Sequence, residues 1–315
     1  MKKLSLISIL LVLLLVPGLM FVGCSKEEAP AAAAPAAEKA AETTPVVEAN
    51  PVKEAALAYF ANFPGNRIIA SADVFAKIDA GEDMLLLDIR KAEDYAAGHL
   101  KGAVNAPWGP AITAALEWLP DDKPVYVNCY SGQTAGQAVA ALNVAGIQAS
   151  SVKYGYSLGV AKTEGYEAYQ ETTANAAPEA SGVKYDAAIK SAVADYFNAI
   201  PEGGSNIWPA AKVKEALDAE EDIFVLSIRQ QDAYDAGHIE GAALIPWAKG
   251  MQEQFADVIP MDKQVVVHCY SGQTAGQAVA ILRLLGYNAV SMKSGMGTPV
   301  TGASGWANEG FPVVQ

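Results

Sequence analysis

The chain has 315 residues, a formal net charge of −13 and an apolar fraction of 51%. This length suggests two domains, and the supply of aliphatic and aromatic residues excludes a wholly disordered chain. The acidic balance argues against a nucleic-acid partner, which needs a basic surface. Three cysteines are too few for a disulfide scaffold, and the absence of a CxxC pair or a close Cys/His cluster argues against a metal site.

The N-terminus has the layout of a bacterial signal peptide. Two lysines precede the apolar run Leu4–Val16, and a Pro-Gly pair follows it. Residues Phe21–Cys24 resemble a lipobox. This resemblance implies that residues 1–23 are removed, that Cys24 is acylated, and that the protein is held on a bacterial membrane outside the cytoplasm. An uncleaved membrane anchor over Leu4–Val22 is the alternative.

The segment after the lipobox, residues 24–52, is predicted to be a tether. It is rich in Ala, Pro and Glu and has no aromatic residue, so it cannot bury a core. Ser25, directly after Cys24, implies the outer membrane if the host is Gram-negative.

The rest of the chain contains one pattern twice. Leu85–Ala103 is similar to Phe224–Ala242, and Cys129–Ala140 recurs without change as Cys269–Ala280. A period of about 140 residues is too long for a solenoid and indicates two copies of one domain. We therefore predict one domain over 53–170, a linker over 171–183 and a second domain over 184–315, with a matching helix containing Tyr59–Phe60 or Tyr196–Phe197 before each copy.

Short apolar strands alternate with helices in both copies, which predicts an α/β fold with a parallel sheet and helices on both of its faces. Ser71 is the expected N-cap of the first helix. In chain order, the elements predicted for copy one are helix Ser71–Asp79, strand Met84–Asp88, helical turn Glu93–Ala97, strand Ala103–Ala106, helix Pro110–Leu119, strand Pro124–Asn128, helix Thr134–Ala145 and strand Ser150–Lys153. Those predicted for copy two are strands Ile223–Ser227, Gln264–His268 and Ala289–Lys293, with a helix over Thr274–Leu285.

Both copies place a cysteine between a buried strand and a helix. In open α/β sheets ligands bind at this end of the strands. Amides of the tight loop and of the helix N-terminus supply positive potential there, which favours a nucleophilic thiolate. The predicted catalytic residues are Cys129 and Cys269, and the predicted substrate-binding residues are Tyr130, Ser131, Gly132, Gln133, Thr134, Tyr270, Ser271, Gly272, Gln273 and Thr274.

Several motifs, in the same order in both halves, resemble the rhodanese family. In copy one they include Asp88-Ile-Arg90, Gly98-His99 and the six-residue loop Cys129–Thr134, and Gly305–Pro312 resembles the family's C-terminal segment. The resemblance implies two tandem rhodanese-like domains, sulfur transfer through a cysteine persulfide, a sulfane-sulfur donor, a thiol acceptor, and no metal or cofactor. A redox or respiratory protein is a further expected partner.

Three charged residues at strand ends are predicted to support the site: Asp88, Arg90 and Arg229. In copy two Ser227 replaces the acid, which suggests unequal sites with copy one the better organised. The histidines His99 and His238 are interpreted as hydrogen-bonded turn residues, and His268 as a strand residue next to Cys269.

Other chemistries remain as alternatives. A related phosphatase branch uses Cys-x5-Arg, but the arginine position holds Ala135 and Ala275, so the phosphate clamp is missing. Inert core cysteines and a Cys129–Cys269 disulfide are two structural alternatives. A lipoprotein that binds or carries sulfur without turnover is the main functional alternative.

Overall fold

The computed structural model describes residues 50–63 and 65–315. The predicted signal peptide, the predicted lipidation site Cys24 and nearly all of the predicted tether lie outside these residues. Helix α1 begins at Pro51, with Asn50 as its side-chain cap, so the last two residues of the predicted tether belong to the helix. Within the described residues, no helix is both long and apolar enough to cross a membrane.

The elements follow the predicted order with small shifts at their ends. Ser71 is the first residue of its helix, whereas Ala70 holds the cap position without a side-chain hydrogen bond, so the predicted N-cap is wrong. Helices and strands have these bounds: α1 Pro51–Ala61, β1 Ile68–Ile69, α2 Ser71–Asp79, β2 Leu85–Asp88, α3 Ala92–Ala97, β3 His99–Leu100, β4 Ala103–Asn105, α4 Pro110–Ala115, β5 Val125–Asn128, α5 Gln133–Val144, β6 Ala149–Val152, β7 Gln170–Glu171, α6 Ala187–Asn198, β8 Ile207–Trp208, α7 Ala210–Asp218, β9 Ile223–Ser227, α8 Gln231–Asp235, β10 Ala243–Leu244, α9 Phe255–Val258, β11 Gln264–His268, α10 Gln273–Leu284 and β12 Ala289–Met292.

Each copy forms a five-stranded parallel sheet. The strand order is β1-β6-β5-β2-β4 in copy one, and the equivalent order is β8-β12-β11-β9-β10 in copy two. The cysteine follows the central strand of each sheet, β5 or β11. The predicted fold class, two tandem α/β domains with parallel sheets covered by helices, is confirmed.

The two copies share one hydrophobic core. Side chains on one face of β5 and β11 pack with α5 and α10 into a single cluster, while the opposite faces have separate cores. The two helices approach each other at glycines, because a Cβ at Gly136 would lie 2.3 Å from the Gln273 carbonyl oxygen, and one at Gly276 would lie 2.4 Å from the Gln133 carbonyl oxygen. The sheets therefore sandwich a common helical layer.

The helix before each copy packs on the other copy. Phe60 in α1 contacts Trp247 edge-on, with ring centroids 5.3 Å apart, and Phe197 in α6 contacts Trp108 at 5.7 Å. The Tyr59 hydroxyl donates a 2.5 Å hydrogen bond to Gln277, and the matching tyrosine before copy two binds α5 in the same way. The predicted linker also lies against copy one, where Asn175 hydrogen-bonds to the Ala103 carbonyl at 3.0 Å.

Candidate active site

The cysteine loops lie at the carboxyl ends of the central strands. Cys129 and Cys269 are 1% and 2% exposed, and both are free thiols. The alternative of a disulfide between them is therefore contradicted. Because side chains alternate along a strand, both sulfurs lie on the face that packs into the shared core.

Backbone amides donate hydrogen bonds to each sulfur. Cys129 Sγ accepts hydrogen bonds from the amides of Gly132, at 3.1 Å, and Ala135, at 3.3 Å. Cys269 Sγ accepts one from the Gly272 amide at 3.1 Å. The first turn of a helix leaves amides without intrahelical acceptors, and a sulfur anion is a suitable partner for them. The loop is therefore built to stabilise negative charge on the cysteine sulfur or on a second sulfur bound to it.

Glycine permits the loop to curl. Gly132 and Gly272, at the cap positions of α5 and α10, have φ angles of 87° and 90°, which L side chains rarely adopt. A second glycine supports each loop from behind, because a Cβ at Gly155 would lie 2.5 Å from the Cys129 carbonyl oxygen, and one at Gly295 would lie 2.3 Å from that of Cys269.

The predicted binding residues separate into two groups. Tyr130, Ser131 and Thr134 line an open cavity beside the Cys129 loop. Burial and a hydrogen bond to Asp94 raise the pKa of Tyr130 to about 12, so its phenol stays protonated at neutral pH. In copy two, Ser271 and Thr274 are half-buried like their counterparts, Gly272 donates to sulfur, and Tyr270 is exposed.

The two loop glutamines have a different role from the predicted one. The Gln133 side chain is buried and donates to Ser291 Oγ at 2.7 Å and to the Met292 carbonyl at 2.9 Å, across the boundary between copies. Gln273 makes the mirrored bonds to Ser151 Oγ, at 2.8 Å, and to the Val152 carbonyl. Their side chains join the two copies, and only their backbone belongs to the loops.

The cavity beside Cys129 is built from both copies. It has a volume of about 590 Å³. We call it the cross-copy cavity because its roof is the segment Ile200–Ser205 with Ile207, which leads into copy two. The Trp108 indole donates to the Gly204 carbonyl at 3.1 Å and so connects the wall to the roof. The remaining lining residues are Ile89, Lys91, Pro107, Pro110, Tyr130, Ser131 and Thr134.

Asp88 and Arg90 form a buried ion pair in copy one. The guanidinium binds both carboxylate oxygens, with a shortest distance of 2.6 Å, and also donates to the Gly98 carbonyl. It stacks on Tyr156, with its central carbon 3.8 Å from the ring centroid. Asp88 is on the sheet face opposite Cys129, so the structure does not bring the ion pair beside the sulfur, and the supporting role of the pair stays a prediction.

Copy two keeps the arginine without the acid. Arg229 donates to the Gly237 carbonyl at 2.7 Å, while its Nε and both ring nitrogens of His268 are buried without partners in the described structure. Burial lowers the pKa of Arg229, and its interactions with Tyr270 and Cys269 oppose that change. Burial and the charge of Arg229 lower the pKa of His268 to about 3, so this imidazole is neutral.

The other histidines are hydrogen-bonded as predicted but lie in short β pairings rather than in turns, because His99 begins β3 and His238 pairs with Val314. His99 hydrogen-bonds through Nδ1 to the Tyr95 carbonyl at 2.7 Å and stacks on that ring. His238 binds the Tyr234 carbonyl in the same way, at 3.1 Å. Across residues 50–63 and 65–315, no three His, Cys, Asp or Glu side chains are grouped so as to hold a metal ion.

The sequence analysis missed the roof of the cavity and the supporting glycines. Gly155 and Gly295 did carry a signal, since each follows the same strand at the same spacing after its cysteine. The roof carried none, because Ile200–Ser205 is distant in sequence from the loop it covers.

The comparisons agree with this geometry. A sequence model of the Rhodanese-like domain matches residues 71–162 and 209–297, together more than half of the chain. The chain belongs to the rhodanese-like family. The two matches correspond to the two sheets, and each includes one cysteine loop.

Several known rhodanese-like proteins are similar to parts of the chain. The "Putative sulfur carrier protein YrkF" of Bacillus subtilis is 31% identical over 72 residues, which are 23% of this chain and 38% of that protein. The "Thiosulfate sulfurtransferase PspE" of Escherichia coli is 33% identical over 72 residues, covering 22% of this chain and 68% of that one. The crystal structure of SseA from Escherichia coli, described as a 3-mercaptopyruvate sulfotransferase, covers 72% of this chain and 97% of its own, with 19% identity and a TM-score of 0.35.

The chain spans less than half the length of YrkF.

Proposed function

We propose that this rhodanese-like protein moves sulfane sulfur from thiosulfate or a polysulfide to a thiophilic acceptor through persulfides on Cys129 and Cys269. The observation that carries the proposal is the amide bonding to each buried sulfur, at 3.1 Å from Gly132 and from Gly272. A thiolate is the nucleophilic form of cysteine, and these donors favour it.

The reaction has two steps. The cysteine thiolate attacks the outer sulfur of the donor, a new S–S bond forms, and sulfite or a shortened sulfur chain leaves with the electron pair of the broken bond. The persulfide anion then lies among the loop amides. An acceptor thiolate attacks its terminal sulfur, and the cysteine leaves as a thiolate ready for another cycle.

The proposal also includes a location. Lipidation of Cys24 would hold the protein outside the cytoplasm on a bacterial membrane, the outer membrane if the host is Gram-negative. The support is the lipobox-like sequence Phe21–Cys24 after an apolar run. Labelled fatty acid should enter the wild-type chain in a bacterial host and should not enter Cys24→Ser.

The direct test of sulfur transfer is intact-mass spectrometry of the full-length chain in detergent. The reduced protein is treated with thiosulfate or polysulfide, beside Cys129→Ser, Cys269→Ser and the double variant. We expect one added sulfur for each remaining loop cysteine, removed again by cyanide. No added sulfur with any donor would refute the proposal, and sulfur on one cysteine alone would restrict it to that copy.

A sulfur carrier is the second candidate, and the similarity to a protein described as a putative sulfur carrier favours it. A carrier would load the same cysteines but would not turn over with a small acceptor. Continuous thiocyanate production from thiosulfate and cyanide, many cycles per protein, would exclude this candidate.

A further inference from the structure

The cross-copy cavity is much larger than the inorganic donors of the proposed reaction. Its volume of about 590 Å³ is within the range of sites that hold drug-sized organic molecules, about 300–1,000 Å³. An anion the size of thiosulfate would leave most of this space to water, of which each molecule takes about 30 Å³. The cavity therefore offers room for a second, larger reactant.

The lining indicates the chemistry of that reactant. Ile89, Trp108, Ile200 and Ile207 give the cavity apolar walls and an apolar roof, and three prolines extend this surface. The charged lining residues, Lys91 and Glu202, have opposite signs and exposed side chains. Burying an apolar body against such a surface is favourable, and the surface has no net charge with which to select an anion.

The cavity borders the loop that holds the reacting sulfur. Ser131 and Thr134 line it, and each directly precedes a residue, Gly132 or Ala135, whose amide binds the Cys129 sulfur. An apolar molecule under the roof would therefore have its thiol end next to the Cys129 loop.

The two copies differ in the roof. The segment from Phe197 to β8 is two residues longer than the one from Phe60 to β1. Three residues after the phenylalanine, copy one's roof has Ile200, whereas the corresponding residue over copy two is Phe63, with its ring centroid 5.3 Å from that of Trp247. Isoleucine is smaller than phenylalanine, so the roof over the Cys129 loop has less bulk at this position.

We infer that the Cys129 site takes thiols with a bulky, uncharged, apolar body as sulfur acceptors, and that Ile200 sets this preference. This inference rests on the proposed function. The acceptor thiolate attacks the terminal sulfur of the Cys129 persulfide, a new S–S bond forms on the acceptor, and the cysteine thiolate leaves with the electron pair of the broken bond. No other oxidant or reductant is required.

The test uses the full-length chain with Cys269→Ser, so that only Cys129 reacts. Thiosulfate is the donor, and kcat/KM is measured for phenylmethanethiol and for 2-mercaptoethanol. Ile200→Phe, which introduces the residue found over copy two, should lower the ratio of the two values about tenfold, since filling a pocket rejects a larger reactant selectively. Val300→Phe, at an exposed site outside the cavity, is the matched control and should leave the ratio unchanged.

A converse variant tests the inference independently, so that misfolding of Ile200→Phe would not leave it untested. Phe63→Ile in the Cys129→Ser background should raise the same ratio at Cys269. If both loop cysteines form persulfides but neither variant moves the ratio, the specificity inference is overturned and the proposed function stands. If no persulfide forms in the parent chain with any donor, the proposed function itself is overturned.

Discussion

The bond between copies through Gln133 leads to a quantitative prediction. Replacing Gln133 by Leu keeps the approximate volume but removes three hydrogen bonds: to Ser291 Oγ at 2.7 Å, to the Met292 carbonyl at 2.9 Å, and from the Ser294 amide at 3.2 Å. The Met292 carbonyl keeps a bond from Gly295. The Ser294 amide, however, loses its acceptor.

The free-energy change follows from these contacts. A neutral hydrogen bond contributes about 1 kcal/mol net, and a buried group left without a partner costs about 1–3 kcal/mol. The two bonds that Gln133 donates account for about 2 kcal/mol, and the Ser294 amide left without an acceptor accounts for about 1–3 kcal/mol. Gln133→Leu should therefore lower the free energy of unfolding by about 3–5 kcal/mol. Gln273→Leu should have a similar effect, because its bonds to Ser151, Val152 and Tyr154 mirror those of Gln133.

The assay is urea unfolding of the full-length chain in detergent, followed by tryptophan fluorescence and far-ultraviolet circular dichroism. Because the copies share one core, both probes should report one coincident transition. Gln148→Leu is the matched control, since this glutamine is exposed and makes one hydrogen bond, to the Asp121 carbonyl. If Gln133→Leu costs no more than Gln148→Leu, the role assigned to the loop glutamines is wrong.

Three further predictions concern single positions. The pKa of His268 falls from 6.5 to about 3 on folding, so the free energy of unfolding should decrease as the pH falls below 6.5, by about 2 kcal/mol between pH 7 and pH 5. Urea unfolding of His268→Asn at the same pH values should not show this pH-dependent loss of stability. Gly155→Ala should abolish persulfide loading at Cys129, measured by peptide mass, whereas Gly146→Ala, with a similarly positive φ but open space around it, should retain it. Asp88→Ser leaves a buried guanidinium without its carboxylate and should lower the free energy of unfolding in urea by about 3–5 kcal/mol. The control Asp83→Ser, at an exposed aspartate, should have no measurable effect.

The central strands were predictable from sequence because local signals agree there. Apolar runs bounded by turn residues placed β9 and β11 without error, and β5 within one residue. The helix predicted over Pro110–Leu119 ends at Ala115, although its apolar residues continue. The edge strands β1 and β8 were missed because two residues carry no periodicity.

Contacts between segments distant in the chain could not be predicted from the sequence. The repeat predicted a helix before each copy but could not show that Phe60 packs against Trp247, since this exchange depends on the arrangement of two finished domains. The same holds for Gln133 and Gln273, because an unchanged polar residue in a repeated loop suggests substrate binding when the partner surface is unknown. The pairing of the copies, rather than the fold of either, was the missing information.

The residues that differ between the copies on the sheet face opposite the cysteines can be explained as one linked change. In copy one, Asn128 lies 3.4 Å from the carboxylate of Asp88, which neutralises Arg90. Copy two replaces the acid by Ser227 and the amide by His268, on the same strands and the same sheet face. Loss of the acid leaves a cation, and a neutral imidazole fits beside it where a protonated one would not. The buried positive charge of copy two is thus not balanced by a carboxylate bonded to the guanidinium, whereas that of copy one is. The expectation from sequence that copy one is the better organised site stays a prediction, and the structure adds that the two sites differ in how the charge of the arginine behind the cysteine loop is balanced.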